Sequence, residues 1–147
     1  MPRPVTPFCG CDVFVVNAVE EVLLIRRSDN GLWALPGGCQ NLGETPKQCA
    51  VRECFEESGL RVEIEALLGV WSSQCYPYIN YPWKDNEFSH IVFKALLVGG
   101  KETPSEESTE VAWFGAKALP ELSDGHKPRI EFAFRWLRDR AIPPFFE

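Results

Sequence analysis

An α/β fold, with helices layered against a sheet, is what this chain of 147 residues predicts. Short runs rich in Val, Ile, Leu and aromatic residues recur along it with turn residues between them, as strands do. Two segments of helical length, residues 45–58 and 128–140, interrupt those runs. Interleaving of this kind gives layered α/β domains. Hydrophobic residues make up 45% and charged residues 24%, enough apolar content for one packed core. Residues 1–147 are therefore read as a single domain.

The elements follow in order. Residues 11–17 and 22–27 read as strands, with residues 18–21 as the turn of a hairpin between them. Residues 32–35 form a short extended piece, which Pro36-Gly37-Gly38 should break. The next start signal is clear. Thr45 is a good N-cap, Pro46 suits the first helical position, and Gln48 completes a capping box. The helix should run to Ser58 and stop at Gly59, which can adopt the left-handed conformation of a C-terminal cap. Strands follow at residues 61–65, 67–73 and 90–98. Residues 76–87 form a long aromatic loop of the kind that often carries function. Residues 102–110 read as an acidic loop and 111–114 as a short strand. The helix at 128–140 places Ile130, Ala133, Phe134 and Leu137 on one stripe.

Charge and composition narrow the partners. A net charge of −6 is a poor match for a nucleic-acid backbone, but it suits a site that collects divalent cations. No apolar run approaches the roughly 20 residues that span a bilayer, and the proline-rich N-terminal stretch lacks a signal peptide's apolar segment. The expected compartment is cytoplasmic, where the six cysteines stay reduced. Cys9-Gly10-Cys11 is too tight for common zinc-finger spacing, with only His90 and His126 to assist, so no structural zinc is expected. Both histidines read as structural.

The first helix carries the chemistry. At about 100° per residue, Glu53, Glu56 and Glu57 fall on one arc of its surface, while Val51 and Phe55 lie opposite and can pack into the core. Three carboxylates on one arc repel each other and sit near the unfavourable end of the helix dipole. The plain reading is a solvated acidic face. A divalent cation reverses the argument, since clustered hard oxygen ligands are what Mg²⁺ takes up. Gly37 and Gly38 would let the backbone turn tightly beside the helix, and Arg52 can hold a neighbouring carboxylate in a bidentate contact.

From Gly38 to Leu60 the sequence resembles the Nudix box: Gly38, five residues, Glu44, seven residues, Arg52-Glu53, then Glu56-Glu57, Gly59 and Leu60. Cys54 stands where that pattern takes an aliphatic residue, and cysteine behaves as a small hydrophobe. Leu23-Leu24-Ile25-Arg26-Arg27 and Leu32-Trp33-Ala34-Leu35-Pro36 before the box, and Glu110-Val111-Ala112-Trp113-Phe114 after it, extend the resemblance over nearly the whole chain.

The resemblance implies an α/β/α sandwich with a mixed sheet. It also implies Mg²⁺-dependent cleavage, with Mn²⁺ able to substitute. Glu53, Glu56, Glu57 and the Gly37 carbonyl would be the metal ligands, Arg52 would orient Glu53, and Glu44 would hold the loop to the helix. Arg27 resembles an arginine that contacts substrate phosphate. The general base varies in this family; Glu110, beside the Trp113-Phe114 strand, is the expected one, with Glu106, Glu107 and Glu87 as alternatives. Trp33 and Tyr76 are candidate substrate-binding rings, as are Tyr78, Tyr81 and Trp83, although each also suits core packing. Leu119-Pro120-Glu121-Leu122-Ser123 resembles bacterial ADP-ribose or nucleotide-sugar pyrophosphatases. The expected partner is a small nucleotide, with no nucleic acid and no membrane, and a homodimer is compatible. A sanitising triphosphate pyrophosphatase and a non-catalytic nucleotide sensor are the competing readings.

Overall fold

The computed structural model describes residues 6–79 and 84–147, so Tyr81 and Trp83 lie outside the described residues. Strand β1 (Phe8–Phe14) is apolar and buried along most of its length, as a strand covered on both faces must be. It runs parallel to β6 (Phe88–Gly100) and antiparallel to β4 (Gly37–Cys39). Strand β5 (Leu60–Ser72) completes a mixed sheet in the order β4-β1-β6-β5. A smaller antiparallel sheet pairs β3 (Trp33–Ala34), β2 (Val22–Arg27) and β7 (Ser108–Phe114) in the order β3-β2-β7.

Alternation along β1 sets the layers. Cys11, Val13 and Val15 join a core cluster with Cys49, Ala50 and Cys54 of helix α1 (Pro46–Ser58). Phe14 points the other way, into a cluster with Ile130, Ala133 and Phe134 of helix α2 (His126–Arg138). The two helices thus cover opposite sides of the sheet, and even-numbered β1 residues belong to the α2 side. That alternation directs Asp12 toward α2.

Several expected elements change. The first two strands do not form a hairpin ladder. They meet at their near ends, where Val16 bridges Val22, the Asn17 N–H bonds the Glu21 carbonyl at 3.0 Å and the Leu23 N–H bonds the Val15 carbonyl at 2.9 Å, while β1 pairs with β6 and β2 enters the other sheet. The segment read as a breaker is strand β4. Its glycines face Asp12 and Cys11 across the ladder, and neither has positive φ. They are needed for space: a Cβ on Gly37 would collide with the Asp12 side chain and the Cys11 carbonyl. The two strands expected over 61–73 are one strand, whose register shifts at Ile64/Ala66 and Leu67/Gly69 break the alternation.

Helix α1 starts and stops as its sequence predicts. Thr45 Oγ1 accepts from the Gln48 N–H, Gln48 Oε1 accepts from the Thr45 N–H, and Gly59 sits at φ 76°. Phe55 departs from expectation. It is 45% exposed, under the Arg61 guanidinium, while the inward face carries Cys49, Ala50, Glu53, Cys54 and Glu57. Cys9, Cys11, Cys39, Cys49 and Cys54 are free thiols. Among the described residues no helix is long and apolar enough to cross a membrane.

Candidate active site

The inward face of α1, the glycine strand β4, the end of β2 and the start of α2 enclose a cavity of about 460 Å³. Glu53 and Glu57, one helical turn apart, reach it from α1 with only 9% and 6% of their surface exposed. The backbone N–H of Gly37 donates to Glu57 Oε1 at 2.9 Å. Gly38 lies flat against Glu53, so that a Cβ there would stand 2.5 Å from the carboxyl carbon.

Arg52 ties the loop to the helix. Its Nη1 donates to Glu53 Oε1 at 2.8 Å and to Glu56 Oε2 at 3.0 Å. Its Nε and Nη2 hold the two oxygens of Glu44 at 3.0 and 2.6 Å, and Nη2 also reaches the Cys39 carbonyl. The Arg52 hydrogen bonds and the Asn41 N–H pull the Glu44 carboxyl down to about 2. Arg52 thus bridges Glu44 and Glu53.

Burial raises the Glu53 carboxyl above its usual range against the pull of Arg52, and Glu56 and Glu107 add repulsion. Glu57 is pushed well above its usual range. Burial is the main cause, the Gly37 N–H and Arg27 oppose it, and Glu53 and Asp12 reinforce it. Two crowded, desolvated carboxylates of this kind fit a divalent cation, whose charge removes the repulsion and whose preference is for hard oxygen donors. Glu56 does not share the arrangement: its side chain is 56% exposed and it does not line the cavity. Among the described residues no three His, Cys, Asp or Glu side chains are gathered as a metal cluster.

The other expected residues divide. Arg27 lines the cavity and is gripped by both oxygens of Asp29 at 2.8 and 2.5 Å. Glu110 does not reach the cavity. It faces Arg26 across the β2–β7 ladder and pairs with it at the surface at 2.8 Å. Glu107, just before β7, lines the cavity instead. Glu87 is held by the Gln74 amide at 2.6 Å, outside the cavity lining. Trp33 packs edge-on against Phe114 at 4.9 Å, and Tyr76 packs against the α2-side core; neither ring lines the cavity. Both follow the packing role that large rings beside a core usually take.

Two cavity residues, Asp12 and Arg129, went unread in the sequence, and His90 and His126, read there as structural, also line the cavity. Arg129 of α2 donates from Nη1 to Asp12 Oδ2 at 2.9 Å and from Nη2 to the Tyr78 hydroxyl at 2.8 Å. That hydroxyl lies 3.5 Å from His90 Nε2, and the His90 ring stacks on Phe88. His126 accepts the Leu35 N–H on Nδ1. Burial and the nearby Arg129 lower the His90 imidazole to about 2, and burial, Arg129, Arg27 and His90 lower His126 well below its usual value. Asp12 carried a signal, as a lone acid inside an apolar strand, because such a charge must find a partner.

A family model described as NUDIX domain matches residues 9–137. The chain is similar to a MutT-like protein of Streptomyces ambofaciens, 40% identical over 99 residues, which are 67% of this chain and 58% of that protein. It is 34% identical over 127 residues to an ADP-ribose pyrophosphatase of Methanocaldococcus jannaschii, covering 83% of this chain and 70% of the relative. Among solved structures, that of a UDP-X diphosphatase superposes with a TM-score of 0.85 at 24% identity, over 99% of this chain and 70% of the other, a likeness of fold.

Proposed function

Because this chain belongs to the Nudix domain family, we propose that it is a hydrolase, a single such domain, that cleaves the phosphoanhydride of a nucleoside diphosphate linked to a second moiety. The substrate class is that of ADP-ribose, CDP-alcohols and nucleotide sugars. Water enters, and a nucleoside monophosphate and a phosphorylated partner leave. The observation that carries this reading is the pair of buried carboxylates, Glu53 and Glu57, against the Gly37-Gly38 strand with Arg27 in the same cavity. The relative named ADP-ribose pyrophosphatase supports the substrate class.

Glu53 and Glu57 would hold a divalent cation, Mg²⁺ with Mn²⁺ as a substitute. When bound, it supplies charge neutralisation at the diphosphate and acidifies water. Arg52 keeps the Glu53 carboxylate aimed, and the Glu44 anchor keeps Arg52 from swinging away. Arg27, itself steadied by Asp29, offers its guanidinium to a phosphate oxygen. Glu107, a cavity-wall carboxylate near Glu53, takes the proton of the attacking water at a carboxylate oxygen.

The test is turnover of a substrate panel with Mg²⁺ and identification of products. ADP-ribose, CDP-alcohols and nucleotide sugars are expected to yield a nucleoside monophosphate. Preference for oxidised triphosphates with release of pyrophosphate would replace this reading with a sanitising one. Tight binding without cleavage would make the protein a sensor.

A further inference from the structure

We propose that His126 is a substrate-binding residue whose Nε2–H donates to an oxygen of the diphosphate. This rests on the proposed reading of the cavity as a diphosphate site and adds a contact outside the box.

The local chain dictates where the ring goes. Gly125 turns the backbone at φ 83°, a position where a Cβ would run into the Tyr78 hydroxyl and Arg129 Nη2. His126 follows as the first residue of α2, 5% exposed, with its ring in the cavity wall. Its Nδ1 accepts the Leu35 N–H at 3.1 Å. A ring nitrogen that accepts cannot carry a proton, so the neutral ring's one proton must sit on Nε2. Burial among the positive charges of Arg129 and Arg27 disfavours a second proton, so the ring stays neutral at pH 7.

Nε2–H is thus a donor of fixed direction, and no described residue accepts from it. The other nitrogen is turned to Leu35, which leaves Nε2 to the cavity. On the cavity wall, this donor is open to a ligand oxygen. Arg27 lies in the same cavity, so an anionic oxygen is the acceptor the surroundings favour, and a phosphate oxygen is the one the proposed substrate carries. Because the ring is neutral, it selects for position and adds no charge beside Arg129.

Two substitutions separate this contact from a structural role. In His126→Asn the side-chain oxygen can stand near Nδ1 and keep the Leu35 bond, but nothing reaches the place of Nε2. In His126→Gln the amide nitrogen reaches the place of Nε2 and the Leu35 acceptor is lost. Binding is read by calorimetry with α,β-methylene ADP-ribose, which cannot be cleaved, and stability by thermal unfolding. We expect His126→Asn to melt close to wild type and bind about 10- to 100-fold more weakly. His126→Gln should melt lower yet bind more tightly than His126→Asn. A purely structural histidine gives the opposite order, and His126→Asn at wild-type affinity would overturn the proposal.

Nitrogen NMR on the wild-type protein gives a check that no variant's folding can spoil. The His126 ring should show the Nε2–H form, and its Nε2 resonance should move on adding the analogue. The other tautomer, or an unmoved resonance in the saturated complex, also overturns the proposal. Cleavage of ADP-ribose is scored separately: binding that depends on His126 without cleavage removes the proposed activity alone, while cleavage with a silent His126 removes this contact alone. If no diphosphate binds, both fall.

Discussion

At Glu57 a buried carboxylate has one backbone N–H for a partner and two acidic neighbours, Glu53 and Asp12, that repel it. Arg27 supplies counter-charge to Glu57, and Arg52 does so for Glu53. Neutralising Glu53 or Glu57 should therefore spare the fold while removing the function. We expect Glu53→Gln and Glu57→Gln each to lower kcat at least about a hundredfold. In thermal unfolding the wild type should gain stability on adding Mg²⁺, and the variants should gain little. Wild-type turnover in both variants at saturating Mg²⁺ would remove them from the site. Acids nearer the surface separate the same way. Glu107→Gln should cost about 10²–10⁴-fold in kcat, whereas Glu110→Gln, which only releases Arg26, should leave turnover unchanged. The reverse order would restore Glu110 as the proton acceptor.

Helix α1 and strand β4 work as one device at the scale of elements, and each can be damaged without the other. The capping box at Thr45 and Gln48 satisfies N–H groups at the start of α1, far from the chemistry at its end. Thr45→Ala should cost about 1 kcal/mol in urea unfolding and leave kcat alone. Gly38→Ala should do the opposite. The nearest atoms to its new Cβ are the end of the Glu53 side chain, 2.5 to 2.7 Å away, and a flexible side chain can swing aside at little cost in stability. It cannot do so and remain aimed, so activity should fall steeply while the unfolding midpoint moves little. A Gly38→Ala protein with wild-type kcat would show that the orientation of Glu53 does not matter. The box was legible because a capping pattern is local in sequence. The role of β4 was not, because Pro36-Gly37-Gly38 reads as a turn until Asp12 and Glu53 are known to crowd it from either side.

Over the whole molecule, α1 and α2 on opposite sides of the mixed sheet meet at one cavity, and its two histidines tie stability to pH. Both imidazoles have depressed pKa values in the fold, His90 near 2 and His126 well below normal. The unfolded chain takes up protons below about pH 6.5, and the folded protein refuses them. Their contribution is therefore complete above that pH and is lost as the pH falls, by up to about 1.4 kcal/mol per unit for each histidine. His90→Phe preserves a ring to stack on Phe88 and removes one titrating group. The difference between its unfolding free energy and that of wild type should then shift between pH 7 and 5 in favour of the variant; a constant difference would mean that His90 titrates in the fold as it does in the unfolded chain. The sequence by itself determined what is written in short spans: the caps of α1, the i, i+4 pairing of Glu53 and Glu57, the hold of Arg52 on its neighbours, and an α/β order of elements. Only the tertiary structure decided which acids are buried, since exposure depends on what packs over a residue. It buried Glu57, left Glu56 and Glu110 in solvent, and turned Trp33 and Tyr76 to packing. It also joined Asp12 to Arg129, 117 positions apart, and brought His126 to Leu35, because a buried charge or donor is satisfied by whatever the fold sets beside it, and chain distance carries no record of that.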